Sequence, residues 1–485
     1  MNYPNQKVHR DVQARLPGFD NFRLFEGIGG EAVLFHVPSL AVVSTGQSFS
    51  EFQSWIKEAK DLSVVGSDDE NSSNEVSELT SLDKELCEVK KEKERHIVDI
   101  RAVALNVAEQ CNLRCVYCYA GEGDYGKNEL MPVDVAKETL RYFVKEGVSQ
   151  FTVVFFGGEP LLNFSLIKEV VEYAKAEFPK TKFHYRMTTN GLLLTSKILD
   201  FLSKNNFSLT ISYDGNMSQM ENRLSVDKKR QTKDFAAEKI LKFQSDLQKL
   251  DGFKIRTTVT PNAAKSFGME LDDVSQRLGQ HMGFNRVASS EEKFSFKMKD
   301  AKALMAVLSE KVDELIREKE FEKLLKLDNV AAFIRILSAR LYLAKTCGAG
   351  LNYLSVSTSG DFYLCHRFTE DSSEKIGSLK DGLDETALEA ISSHRFARHE
   401  PCSGCWMKNI CRGGCFHENK IAHGTKHRPD PIFCFMQGEQ ITLAIKAFLE
   451  IKKHSPELLE RKSRNVLGLE HEKVSASLSA GLTGR

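Results

Sequence analysis

The chain has no surplus of either charge: 67 Lys and Arg stand against 67 Asp and Glu over 485 residues. Nucleic-acid binders normally carry a basic excess, so no nucleic-acid partner is expected. No apolar run reaches the ~18–20 residues needed to cross a bilayer, so no membrane partner is expected either. The opening stretch, MNYPNQKVHRDVQARLPGFDN, has no apolar h-region of a secretory signal, and a cytoplasmic location is the expectation. What remains is the composition of a soluble globular protein, 41% hydrophobic and 28% charged. The length implies roughly two to four structural units.

Eleven cysteines are present, and their distribution is uneven. Cys111, Cys115 and Cys118 form an early group. Cys347, Cys365, Cys402, Cys405, Cys411, Cys415 and Cys434 form a late one, and only Cys87 stands alone. In a long chain without a secretory signal, such groups point to metal or redox chemistry rather than disulfides. Cys87 reads as a small apolar residue on a helix.

Five segments follow from the pattern. Residues 1–66 read as a small α+β unit, with two strands at Glu31–Val37 and Leu40–Ser44 and an amphipathic helix over Ser48–Lys60 capped by Ser48 or Ser50. Residues 67–97 are a charged linker and helix. Residues 98–330 alternate strands and helices, which predicts an α/β fold of parallel strands with crossover helices. The expected strands are Val103–Val107, Thr152–Phe156, His184–Thr188, Ser208–Ser212, Lys254–Val259 and Asn285–Ala288. Helices are expected at Pro132–Lys145, Leu166–Phe178, Lys197–Asn205 and Phe235–Leu250. Six such units suit a partial (β/α)6 barrel, with chemistry at the C-terminal strand ends. After a mostly helical stretch, residues 331–440 form a cysteine-rich unit too poor in long periodic segments to hold a core without metal. Residues 441–485 are a helix, within Gly438–Lys453, and a polar tail.

Cys111-Asn-Leu-Arg-Cys115-Val-Tyr-Cys118 directly follows the first barrel strand. A [4Fe–4S] cluster normally takes four cysteines; three close together leave one iron open for a small molecule. The alternative is a zinc loop, but structural zinc wants four ligands and this trio has no obvious fourth.

The trio, with Tyr117 before its last cysteine, resembles the signature of radical S-adenosylmethionine (SAM) enzymes. Further matches follow in order: Gly157-Gly158-Glu159-Pro160 after the second strand, Thr189-Asn190-Gly191 after the third, and Ser212-Tyr213-Asp214-Gly215 at the end of the fourth. The resemblance covers about residues 100–290. It implies that the SAM amine and carboxylate chelate the open iron. Glu159 would accept from the amine, and Gly157 and Gly158 would admit the backbone closely. Asn190 belongs to the same cofactor-binding set. Ser212 would reach the ribose, Tyr117 the adenine region and Arg223 the SAM carboxylate.

The late group resembles the seven-cysteine SPASM domain of peptide-modifying radical SAM enzymes. By that resemblance Cys402, Cys405, Cys411 and Cys434 hold one auxiliary Fe–S cluster. Cys347, Cys365 and Cys415 hold a second, both being [4Fe–4S] clusters by expectation. Two zinc sites are the competing reading, since C-x2-C is also a zinc motif. His366, after Cys365, is the candidate base; its plain reading is a hydrogen-bonded structural histidine. Anaerobic sulfatase maturases have Asp at that point and an eighth cysteine soon after the first of the late group, and this sequence has neither. The chain looks closer to maturases of ribosomally made peptides. The expectation is an enzyme that cleaves SAM and installs a thioether or carbon–carbon cross-link in a peptide or protein. Formylglycine formation is the alternative, and a zinc-stabilised binding protein the alternative of another class. Expected partners are the peptide or protein substrate and an electron donor such as flavodoxin or ferredoxin. In peptide maturases a small winged-helix domain often captures the precursor leader, and residues 20–60 are compatible with that role.

Overall fold

The computed structural model describes residues 13–16, 19–54, 81–84, 98–215, 218, 221–226, 235–272, 274, 281–340, 348–369, 371–394, 396–411 and 413–460. Cys347, Cys87, the acidic linker and the C-terminal tail lie outside the described residues.

Six parallel strands form the centre: β5 (Ala102–Ala108), β7 (Gln150–Gly157), β8 (Lys182–Thr189), β9 (Phe207–Ser212), β11 (Lys254–Val259) and β12 (His281–Arg286). They are hydrogen-bonded in chain order, the arrangement of a partial barrel. Strands β7, β8, β9 and β11 alternate buried and part-exposed residues, whereas β5, at the centre of the sheet, is buried along nearly its whole length. Phe155, Tyr185 and Phe207 stack across three neighbouring strands, with ring centroids 5.0–6.0 Å apart. Helices α1 (Val133–Phe143), α2 (Phe164–Glu177), α3 (Ser196–Lys204) and α4 (Phe235–Lys242) run between them. Leu140 of α1, Ile167 and Val170 of α2 and Leu199 and Leu202 of α3 join the same core as those rings. Each such side chain contributes about 1.5–3 kcal/mol by leaving water.

The cysteine-rich region is not a separate body. Its first strand, β13 (Tyr353–Val356), pairs in parallel with β5, Leu354 opposite Val103. The sheet then continues antiparallel through β14 (Asp361–Tyr363), β15 (Lys375–Ser378) and β16 (Gly382–Leu383). The expected unit 331–440 therefore shares its sheet with the barrel. Helices α5 (Met298–Arg317), α6 (Asp328–Ala339), α7 (Phe416–His423) and α8 (Pro431–His454) complete this half. Helix α8 starts earlier than the expected Gly438: Asp430 caps it by accepting from the Ile432 amide, and Pro431 is its first residue. It is also long and apolar enough to cross a membrane, which corrects the expectation that no such segment exists. Within the fold it is a core helix: 61% of its apolar stretch is buried, and Ile441, Ala444, Ile445 and Ala447 are fully covered.

The N-terminal unit is an antiparallel meander of β1 (Gln13–Leu16), β2 (Phe19–Glu26), β3 (Glu31–His36) and β4 (Ala41–Ser48), four strands where two were expected. Helix follows from residue 49, opened by a reciprocal box in which Ser48 Oγ accepts from the Glu51 amide and Glu51 Oε2 from the Ser48 amide. The described residues show the sheet of this unit and no helical bundle of a winged-helix domain. Asp83, from the expected linker, accepts from Asn21 at 3.0 Å and pairs with buried His36 at 2.8 Å.

Candidate functional site

The loop after β5 carries the first trio. It turns back through β6 (Leu113–Cys115), which pairs with β10 (Arg223–Ser225) so that Arg223 lies opposite Cys115. The end of β7 presses on this loop. Gly157 has φ +135°, and a Cβ there would strike the Ala108 carbonyl. One on Gly158 would strike the Gly123 and Gln110 carbonyls. The Gly158 and Glu159 amides donate to Ala108 and Gln110 at 2.7 and 2.8 Å. The two glycines thus admit a close approach of β7 to the cysteine loop.

Glu159 follows the two glycines. It has no exposed surface, and its carboxylate accepts from Thr189 Oγ1 (2.7 Å), the Asn190 amide (2.8 Å) and the Leu161 amide (3.1 Å). Burial raises its pKa, opposed by those donors. It clamps the ends of β7 and β8 together, with three donors on its two oxygens. Asn190 continues the clamp: its Nδ2 donates to Asn112 Oδ1 at 2.7 Å and lies 4.0 Å from Cys111 Sγ.

Arg223 is likewise occupied. Its Nε and Nη2 donate to the two carboxylate oxygens of Asp214 at 2.9 and 3.0 Å, with both side chains buried. Burial works against the guanidinium charge, but Asp214, Tyr117 and Cys115 together outweigh it and the pKa lies above the ordinary value. Asp214 also accepts from the Tyr117 hydroxyl and, at 3.0 Å, from the Thr258 amide. The Arg223 guanidinium stands 5.7 Å from the Tyr117 ring. Asp214 thus fixes Tyr117 and Arg223, two of the residues expected to bind SAM. The sequence reading quoted it within a motif and gave it no role. Ser212, half-buried, stands at the end of β9 beside Arg256.

The late cysteines lie on several elements. Cys365 follows β14, Cys415 precedes α7, Cys402, Cys405 and Cys411 lie on one loop, and Cys434 is on the first turn of α8. Burial, then the charges of Cys411, Cys405 and Cys402, pushes the Cys434 thiol up; burial, Cys411 and Cys405 push Cys402 to about 12. These four thiols are close enough to repel as thiolates, the set expected for one cluster. Burial raises Cys111 to about 12 and Cys115 to about 11. Such sets of neighbouring, half-buried to buried thiols are unfavourable as bare thiolates and suit a cationic iron centre that compensates them. Among the described residues, no three Cys, His, Asp or Glu side chains converge as ligands of a single ion do. In a cubane each thiolate meets its own corner iron.

His366 joins the two halves. Its ring packs on Phe156 at 4.1 Å, and its Nδ1 shares a 2.6 Å hydrogen bond with the Tyr353 hydroxyl. Burial, helped by Arg367, lowers its pKa to about 3. Its ring is thus packed and hydrogen-bonded, and burial weakens it as a base. The N-terminal sheet meets the late group: Trp406, next to Cys405, lies edge-on to Phe25 and Phe35 at 5.3 and 5.8 Å, and Asn409 donates to the Val37 carbonyl at 2.9 Å.

Residues 105–244 match the Radical SAM superfamily. An uncharacterised protein of Methanocaldococcus jannaschii is 34% identical over 116 residues, 24% of this chain and 39% of that one. The Radical SAM cyclopropyl synthase TigE of Paramaledivibacter caminithermalis is 30% identical over 129 residues, 24% of this chain and 27% of that one. The matched segment thus spans well under two thirds of either relative. A cysteine-type anaerobic sulfatase-maturating enzyme of Clostridium perfringens is 24% identical over 338 residues, 63% of this chain and 85% of that one. The solved structure of anSMEcpe with bound AdoMet has a TM-score of 0.62 at 19% identity, covering 75% of this chain and 98% of that one, so the fold is shared.

Proposed function

We propose that this chain, an enzyme whose residues 105–244 form a radical SAM domain, modifies a side chain of a peptide or protein and installs a thioether or carbon–carbon cross-link. The observation that carries the proposal is the meeting of the two cysteine regions: β13 extends the barrel sheet beside β5, and His366, next to Cys365, packs on Phe156 beside Gly157. Cys111, Cys115 and Cys118 would hold the catalytic [4Fe–4S] cluster, Cys402, Cys405, Cys411 and Cys434 one auxiliary cluster, and Cys347, Cys365 and Cys415 the other. When bound and reduced, the catalytic cluster supplies the electron that splits SAM into methionine and a 5′-deoxyadenosyl radical, which takes hydrogen from the substrate.

The chain's own residues position and exclude. Gly157 and Gly158 hold the cysteine loop against β7, and Glu159 ties β7 to β8. Asp214 holds Tyr117 and Arg223 behind Cys115. A peptide substrate is supported by the similar structure of native anSMEcpe, solved with AdoMet and a Kp18Cys peptide bound. An electron donor such as flavodoxin or ferredoxin would serve the clusters, and the enzyme would work in the cytoplasm. The N-terminal sheet, seated on the Cys402–Cys411 loop, is the proposed docking unit for a leader, added as a further strand.

Formylglycine formation is the second reading, favoured by the wide alignment to the sulfatase-maturating enzyme. His366 in place of Asp speaks against it. Anaerobic reconstitution, SAM cleavage and mass analysis of a co-expressed peptide test the choice. A cross-link removes about two hydrogens per bond, whereas formylglycine leaves an aldehyde that hydrazides trap.

A further inference from the structure

We propose that Arg367 and Glu418 set the reduction potential of the auxiliary cluster bound through Cys415, Arg367 raising it and Glu418 lowering it. The inference rests on the three-cluster reading above. Arg367 Nη1 donates toward Cys415 Sγ at 3.6 Å and to Glu418 Oε1 at 3.2 Å. Its guanidinium lies 5.5 Å from the ring of Tyr119, the residue after Cys118. It therefore touches both cysteine regions at once. Its guanidinium carries its charge in any case, since arginine does not deprotonate in proteins.

Glu418 is the counterweight. Its other oxygen accepts from Arg286, the last residue of β12, at 3.0 Å. Arg286 also pairs with Asp430, the cap of the helix that bears Cys434. The side chains of Arg367 and Glu418 are 21% and 10% exposed, so solvent screens them weakly.

Reduction of an iron–sulfur cluster adds one negative charge and no bond changes; the electron comes from an external low-potential donor. A fixed cation with an N–H aimed at a ligand sulfur stabilises that extra charge, and a nearby carboxylate opposes it. The Tyr119 contact and the Glu418 pair keep the guanidinium from swinging away from Cys415. Arg367 is thus a positioning residue that acts through Cys415.

The test is an EPR-monitored dithionite titration of the anaerobically reconstituted enzyme. In R367M, one auxiliary midpoint is expected to move to more negative potential while the midpoint of the SAM-binding cluster stays in place. In E418Q the same auxiliary midpoint is expected to move the opposite way, with Asp430 still holding Arg286. R367K, which keeps the charge without the fork, should fall between wild type and R367M. Iron per chain shows which variants are intact. Unmoved midpoints in R367M at wild-type iron content, or shifts of one sign in both variants, would overturn the assignment. If R367M loses iron, E418Q decides alone by the direction of its shift. A wild type with a single paramagnetic cluster would instead overturn the three-cluster reading.

Discussion

Arg223 grips Asp214 with two nitrogens directly behind Cys115, and both side chains are shut away from water. Breaking one partner of such a pair leaves a buried charge alone, at a cost of about 3–5 kcal/mol. D214N also weakens the acceptor that holds Tyr117. We expect D214N and R223M each to lower the unfolding midpoint in guanidinium strongly and to shed iron from the first cluster. The double variant D214L/R223M, which removes both charges, should be less destabilised than either single one. Additive losses would contradict the pairing.

Glu159 acts as a clamp, so its loss should be felt through its neighbours. E159A removes the acceptor of three donors; each buried donor left unmade costs about 1–3 kcal/mol. T189V removes only one of the three. SAM affinity, measured by equilibrium dialysis under anaerobic conditions, should fall in E159A and fall less in T189V. A direct ligand of the SAM amine would leave T189V at wild-type affinity.

Those two residues show how far the sequence alone reached. Five of the six barrel strands are readable, because their apolar alternation is local and strong. Strand β12 is expected at Asn285 but begins at His281, since His-Met-Gly-Phe is weakly strand-like and is fixed by pairing with β11. The helix expected over Phe235–Leu250 breaks after Lys242. Strand β2 was readable in principle from Phe22 and Leu24, which point to one face and are fully buried. The start of α8 had a local signal too, Asp430 followed by Pro431. The cysteine groups and glycines carry their meaning in spacing. The Asp214–Arg223 pair and the Glu159 clamp do not: each depends on which side chains the fold brings within 3 Å of one another, and a motif does not encode that.

His366 and His417 give the pH dependence. Burial, then Arg367, lowers both to about 3, against an ordinary value of 6.5. Between those values the unfolded chain takes up protons that the folded chain refuses. Stability is therefore full above about pH 6.5 and falls as pH drops, by about 1.4 kcal/mol per pH unit for each histidine well below 6.5. Guanidinium midpoints of H366Q/H417Q and wild-type enzyme, compared at pH 6.5 and 5.5, should show the flatter slope in the variant. Equal slopes would place the acid sensitivity elsewhere.

Trp406 fastens the N-terminal sheet to the Cys402–Cys411 loop through Phe25 and Phe35. W406A is expected to cost about 3–5 kcal/mol. Limited proteolysis should then cut near residues 49–54 sooner than in wild type, while SAM cleavage without peptide stays within about twofold, a difference under 0.5 kcal/mol. An unchanged digestion pattern would show that the sheet is held by other contacts.

The central claim is that Cys111, Cys115 and Cys118 form a three-thiolate site whose open iron binds and splits SAM. The most direct measurement is 5′-deoxyadenosine released by anaerobically reconstituted enzyme under dithionite, beside the C111A/C115A/C118A variant. We predict release from the wild type, none from the variant, and a loss of about four irons per chain with auxiliary EPR signals retained. Colourless wild-type protein holding stoichiometric zinc, with no 5′-deoxyadenosine, would contradict the account.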